Sequence, residues 1–133
     1  MSARNNLSCQ NSGNKPSAID AAEAQLNKVI AIRTLNDHLR QTGQGGRVMV
    51  TDGITALGLD FAKQVLAKVS SFADFTKNND PHGEHDCAVM AVCGHRIIWK
   101  IDYYDRTMQF HSDDAADPKV TIRVLTIMTA QEY

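Results

Sequence analysis

Cysteine is scarce in this sequence, and what there is cannot build a disulfide framework: Cys9, Cys87 and Cys93 form an odd set with no CxxC pair. Cys87 and Cys93 lie six apart in one apparent strand, about 20 Å from each other, too far to bridge within it. They read as ordinary buried packing, and a reducing cytoplasm is the expected compartment. Long apolar runs are missing too. None approaches the roughly 18 to 20 residues needed to span a bilayer, and the polar stretch Met1 to Ser17 has no apolar segment of the secretory type. Nor is there a basic excess: fourteen Lys and Arg against fifteen Asp and Glu give a formal charge of −1. That disfavours a general nucleic-acid or membrane-surface binder. The glycines at 43, 45 and 46 lack the lysine and spacing of a phosphate-binding loop. No helix-turn-helix pattern supports a DNA-binding regulator.

What remains is an ordinary globular composition, 43% hydrophobic and 22% charged, in 133 residues, enough for one domain with a true core. Residues 1–16 are rich in Ser, Asn, Gln and Gly and read as a mobile tail. The domain occupies 17–133. Ser17 with Asp20 three residues on is a capping-box pattern, and Ala22, Leu26, Val29, Ile32, Leu35 and Leu39 then recur at helical spacing. The glycines from Gly43 end that helix. Arg47 to Thr51 is a short β-type run followed by the turn signal Asp52-Gly53, and Ile54 to Leu59 is open between strand and helical turn. A second amphipathic helix is expected over Asp60 to Phe75, burying Phe61, Val65, Val69, Phe72 and Phe75.

Three strands should follow. Asp86 to Cys93, small and apolar, suits a strand buried on both faces. Gly94-His95 turns the chain into Arg96 to Tyr104. There Ile97, Trp99, Ile101 and Tyr103 share the core face, while Ile98, Lys100, Asp102 and Tyr104 point away. Asp105-Arg106 turns again into a strand Thr107 to His111, and Ser112 to Pro118 is an acidic loop. For 119–133 the signals conflict. Ile122, Val124, Thr126 and Met128 alternate as in a strand. Asp117-Pro118 is a good helix start, however, and Val120, Val124, Ile127 and Met128 fit a helical stripe. The helix is the expectation. The fold class is therefore α+β, with N-terminal amphipathic helices on a small antiparallel sheet and a C-terminal helix.

The chemistry concentrates in Asn79-Asp80-Pro81-His82-Gly83-Glu84-His85-Asp86. Two imidazoles and two carboxylates within five residues are the donor types of a Zn or Fe site, and His111 could fold back to join His82, Glu84 and His85. But the His-x-x-His spacing lies in a turn-forming loop, not on a helix that would align both rings. Asn-Asp-Pro turn chemistry, a free φ at Gly83 and capping of the next strand by His85 or Asp86 explain the same residues. A polar network without metal is the preferred reading, and no cofactor is expected. Lys100, Asp102 and Tyr104 could join acid–base chemistry, Asp102 or Glu84 pairing with a histidine, but they read first as a solvated stripe. Trp99 and Tyr103 could stack bases, but with Ile97 and Ile101 they read as core.

The chain also resembles a family of small bacterial domains of unknown function, often found on proteobacterial plasmids and other mobile elements. The resemblance runs from about Leu35 to Tyr133. It rests on Asn36-Asp37 with Arg40, the strings 46–51 and 56–58 with Gly53, the run 79–86, the string Trp99 to Asp105, Asp117-Pro118, Arg123 to Met128, and Glu132-Tyr133. After the His-Asp pair the family tends to have an aromatic and a glycine, where this chain has Cys87-Ala88. The resemblance implies a setting, with no established activity. Small proteins of mobile elements often bind and block a host defence nuclease or its guide complex.

Two functions follow as expectations. The first is an interaction protein that inhibits a CRISPR or restriction complex by binding a host protein or ribonucleoprotein. Its candidate contact residues are Asp80, His82, Glu84, His85, Asp86, Asp102, Asp105, Asp113 and Asp114, and Asp74 and Asp117 add to the negative charge. The second is a metal-dependent hydrolase built on His82, Glu84, His85 and Asp86.

Overall fold

The computed structural model describes residues 17–133. The expected tail, 1–16, lies outside the described residues. Helix α1 spans Ala18–Thr42 and starts as its sequence indicates. The Ser17 hydroxyl accepts from the Asp20 N–H, and the Asp20 carboxylate accepts from the Ser17 N–H. It ends at Gly43, whose φ of 76° lets its N–H reach the Leu39 carbonyl. Strand β1 is Arg47–Val50, and a single helical turn, α2, covers Asp52–Thr55. The turn signal Asp52-Gly53 thus opens a helical turn. Helix α3, Leu59–Ser71, buries Phe61, Val65 and Val69. It stops before Phe72, which together with Phe75 continues in extended backbone yet still packs on the core.

Strands β2 (Cys87–Val92), β3 (His95–Tyr104) and β4 (Ile122–Thr129) complete a four-stranded sheet in the order β1-β4-β3-β2. Cys93 and Gly94, both at positive φ, make the tight turn between β2 and β3. On β3 the face of Ile97, Trp99 and Ile101 is buried, with Tyr103 packed against it, and in register with it lie Ala88 on β2 and Leu125 and Ile127 on β4. The helices cover this face. The chain is α+β, two layers deep.

Four expectations are corrected. Residues 119–133 form the central strand β4 and a 3-10 turn, Ala130–Glu132, with no C-terminal α-helix. A central strand satisfies its backbone from both sides, and β4 buries Val124 and Met128 on one face and Leu125 and Ile127 on the other. Burial on both faces blurs the alternation that would have identified it. Second, the sheet is mixed, because β1 runs parallel to β4. Third, Thr107 to His111 is no strand. The Asp105 carboxylate accepts from the Thr107 N–H and hydroxyl and the Gln109 N–H, curling the segment, and only His111 bridges back to Tyr104. Fourth, β2 is an edge strand with Val89 half exposed, and both Cys87 and Cys93 are exposed.

The end of the chain is tied to the β1–α2 junction by Glu132. Its carboxylate accepts from the Thr51 hydroxyl (2.7 Å), the Thr129 N–H (2.8 Å) and the Gly53 N–H (3.0 Å). The Thr51 bond is the largest of the effects that hold its carboxyl down from 4.5 to about 2. Because the folded value is the depressed one, the stabilisation is present above the ordinary carboxylate range. It is lost as pH falls through about 2. Glu132→Gln should therefore melt below the wild type near neutrality, with the gap closing as melts are taken at successively more acidic pH. A gap that does not narrow with acid would show that the carboxylate charge is not what holds the turn.

Candidate functional site

The run Asn79 to Asp86 connects α3 to β2 and lies against α1. It is shaped by its own turn chemistry. The Asp80 carboxylate accepts from the His85 N–H at 3.1 Å, and Gly83 (φ 72°) and His85 (φ 55°) both adopt left-handed backbone. For a histidine that conformation is strained, so the surroundings must hold it. They do so from α1. Arg33 donates Nε–H to the Gly83 carbonyl at 2.6 Å, and Asn36 donates to the Glu84 carbonyl at 3.0 Å. Asp37 Oδ1 lies 2.9 Å from His85 Nδ1. A carboxylate only accepts, so the ring directs its Nδ1 hydrogen to Asp37. On the other side of the ring, Nε2 lies 3.6 Å from Asp80 Oδ2. The imidazole stacks flat on Phe75, centroids 3.8 Å apart at 5°.

Beneath the loop are two connected networks. In one, Arg40 gives Nη1 to the carbonyls of Val69, Ser70 and Phe72, the unsatisfied end of α3, and Nη2 to Asp37 at 2.8 Å. Its guanidinium carbon lies 5.4 Å from the ring centroids of both Phe75 and Trp99. In the other, Asn36 is fully buried, donates to the Tyr103 hydroxyl at 2.7 Å and accepts from Arg123 Nε at 2.8 Å. Tyr103 passes its own hydrogen to Glu84 Oε1 at 2.8 Å. Arg123, cross-strand from Tyr103, also donates to the Ala115 carbonyl, anchoring the acidic loop. Burial pushes the Tyr103 hydroxyl well above its ordinary range and lowers the Arg123 guanidinium, which the Glu84 carboxylate partly offsets. Tyr103 is held as a neutral hydroxyl that relays one hydrogen bond.

The expected site residues divide accordingly. Asp80, Glu84 and His85 join with Asp37 and Asn36 in the network that holds the loop. His82 stands exposed beside Pro81 at its tip. Asp86 lines a cleft of about 480 Å³ with Cys87, Lys100 and Asp102 at the outer side of the sheet. Burial pushes the Asp86 carboxyl above its ordinary value. Cys87, exposed as a residue, has its thiol raised by partial desolvation and by the nearby Asp86 and Asp80 charges, which disfavours a thiolate nucleophile there. Asp102 is paired with Lys100 at 2.6 Å in a half-exposed pair worth about 0.5 kcal/mol.

Asp105 is occupied in its own turn, Asp114 accepts from the Ala116 N–H and lies 3.6 Å from Lys28, and Asp113 is exposed. His111 turns Nδ1 to the Ser112 carbonyl at 2.8 Å. Among the described residues no three His, Cys, Asp or Glu side chains are grouped to share a metal ion. No described helix is long and apolar enough to cross a membrane.

Asn36, Asp37, Arg40 and Arg123 were not foreseen as members of this site. Helical spacing alone assigns Arg40 to a solvated face with Lys28 and Arg33, and the structure instead buries it. A signal for Asn36 and Arg40 is nevertheless present. Asn36 and Arg40 stand one turn apart on the face of α1 that also buries Ile32 and Leu39, and polar groups on an apolar face need partners.

A protein-family model described as "Protein of unknown function (DUF3768)" matches residues 50–132, more than half of the chain. The match takes in the whole loop, Tyr103, Arg123 and Glu132, and leaves α1 outside. Comparison with curated proteins and with solved structures returned no match.

Proposed function

We propose that this chain, which belongs to the DUF3768 family of proteins of unknown function, is a small binding protein of a mobile genetic element that blocks a host defence complex in the cytoplasm. The supporting observation is how the polar run is used. Asp80, Glu84 and His85, the groups that would otherwise do chemistry, are spent on fixing the loop, and Pro81 and His82 are held outward on a rigid base. A loop ordered before binding loses less entropy on association, which is what an inhibitor that works by occupancy needs. The partner is a protein or ribonucleoprotein of a CRISPR or restriction system. Net charge near zero disfavours direct capture of nucleic acid, and exposed acids such as Asp113 suit a basic surface on the partner. The likeness of its sequence strings to plasmid-borne domains supports the same setting.

The test is a plasmid-establishment assay in cells with an active CRISPR or restriction system. Expressing the protein should raise establishment of the targeted plasmid. His82→Ala, which melts like the wild type because His82 is exposed, should lose much of that gain. Establishment unchanged across a panel of such systems would refute the proposal.

A further inference from the structure

Strand β2 closes the sheet on one side, and its pairing with β3 fixes which way its backbone points. Asp86 accepts the Ile101 N–H at 2.7 Å, so the hydrogen-bonded pairs of this antiparallel ladder continue as Ala88 with Trp99, Met90 with Ile97 and Val92 with His95. The N–H and C=O groups of Cys87, Val89 and Ala91 therefore point out of the sheet, where no described segment bonds them. Their side chains are exposed on the outer face. Sheet edges are normally guarded by a charge, a proline or a bulge. β2 has none of these: it reads Cys-Ala-Val-Met-Ala-Val, and its register with β3 runs unbroken from Cys87 to Val92. The other edge strand, β1, is shorter and carries a charge at Arg47.

Unpaired backbone groups in this alternation fit one kind of cover, another extended strand. We infer that the edge pairs with the same edge of a second copy, antiparallel about a two-fold axis at Val89, so that the two sheets continue as one. In this register the strand is its own complement. Val89 lies opposite Val89 and Cys87 opposite Ala91, and each outward N–H meets an outward C=O. The opposed side chains are small and uncharged, so the pairing buries no charge. Charge at the rim sets the direction. On the outer face Arg96 stands across from Ala91 and forms no ion pair among the described residues. Ala91 meets Cys87 of the other copy, which walls the cleft of Asp86, Lys100 and Asp102. Each Arg96 is thus directed toward a cleft whose two carboxylates exceed its one ammonium. Parallel pairing would set Asp86 beside Asp86 and Arg96 beside Arg96. Past Val92 the chain turns straight back at Cys93 and Gly94, so nothing of one copy runs on into the other's loop 79–86. The inference does not rest on what Pro81 and His82 bind.

One strand pair is small for a stable interface, so the dimer should be of micromolar strength. At about 200 µM chain, sedimentation equilibrium should give close to twice the 14.7 kDa of one chain. Hydrogen exchange at the amides of Cys87, Val89 and Ala91 should slow as chain concentration rises, because pairing covers them. Val89→Lys sets two ammonium groups at the axis. It should return the single-chain mass and fast exchange at Cys87 and Ala91, with the melting curve of the dilute wild type, since Val89 is half exposed. A wild type monomeric at that concentration, a dimer that survives Val89→Lys, or a dimer whose Cys87, Val89 and Ala91 amides exchange as fast as in the dilute chain would each overturn the inference.

Discussion

Replacing Arg40 by methionine should lower the unfolding free energy by about 3 kcal/mol, the scale for breaking a buried charged network. Methionine keeps most of the stem that packs on Phe75 and Trp99, so the loss reports the guanidinium. That group holds the carbonyls of Val69, Ser70 and Phe72 where α3 ends, and it neutralises Asp37. Without it the three carbonyls lose a donor, and Asp37 keeps only His85. Arg40→Lys should recover little, because one ammonium cannot bridge the end of α3 and Asp37 with a planar fork. Urea unfolding followed by Trp99 fluorescence is the measurement. With a slope typical of small domains, the midpoint should fall by about 1 to 2 M. A change under about 1 kcal/mol would mean that the stacked aromatic rings, rather than the charge, hold this corner.

The second large effect is expected at Asn36. Asn36→Leu fits the space but removes the acceptor for Arg123 Nε and the donors to the Glu84 carbonyl and the Tyr103 hydroxyl. Arg123 is almost fully buried, so its orphaned nitrogen cannot turn to water. A cost of about 3 kcal/mol follows from stranding a charged donor with two further polar groups. The readout peculiar to this site is local. Amide exchange at Glu84, His85 and Asp86 should speed up more than in the β3–β4 ladder, because Asn36 ties the loop to α1. Uniform acceleration would instead mark a general loss of stability. Arg40 and Asn36 hold the same loop from neighbouring turns of α1, so the double variant should cost less than the sum of the two.

Legibility in the sequence followed the physics of each segment. The start of α1 could be read because a capping box is local chemistry, and its end because only glycine takes Gly43's conformation cheaply. The buried face of β3 could be read because one face is apolar and the other polar. The last strand could not. Asp117 and Pro118 form a good helix start, and Arg123, Val124, Leu125, Ile127 and Met128 are all buried, so no clean period of two survives. The stretch Thr107 to His111 had strand-like composition, but Asp105 captured its backbone.

The run Asn79 to Asp86 shows the same division. Its residues alone determined that a turn would form there, that Gly83 would relax the backbone, and that the densest polar chemistry of the chain would lie between α3 and β2. Elsewhere in the chain, two helical periodicities followed by β-rich segments determined the α+β class. What the side chains of that run would do was settled by partners 48 and 19 residues away, Asp37 on α1 facing His85 and Tyr103 on β3 facing Glu84. A carboxylate or imidazole can serve as ligand, acid, base or brace. Spacing along the chain restricts that choice only where the chain is regular, and in a loop the choice falls to whatever the fold packs against it. Here the fold packed a polar helix face against the loop, and the groups became braces.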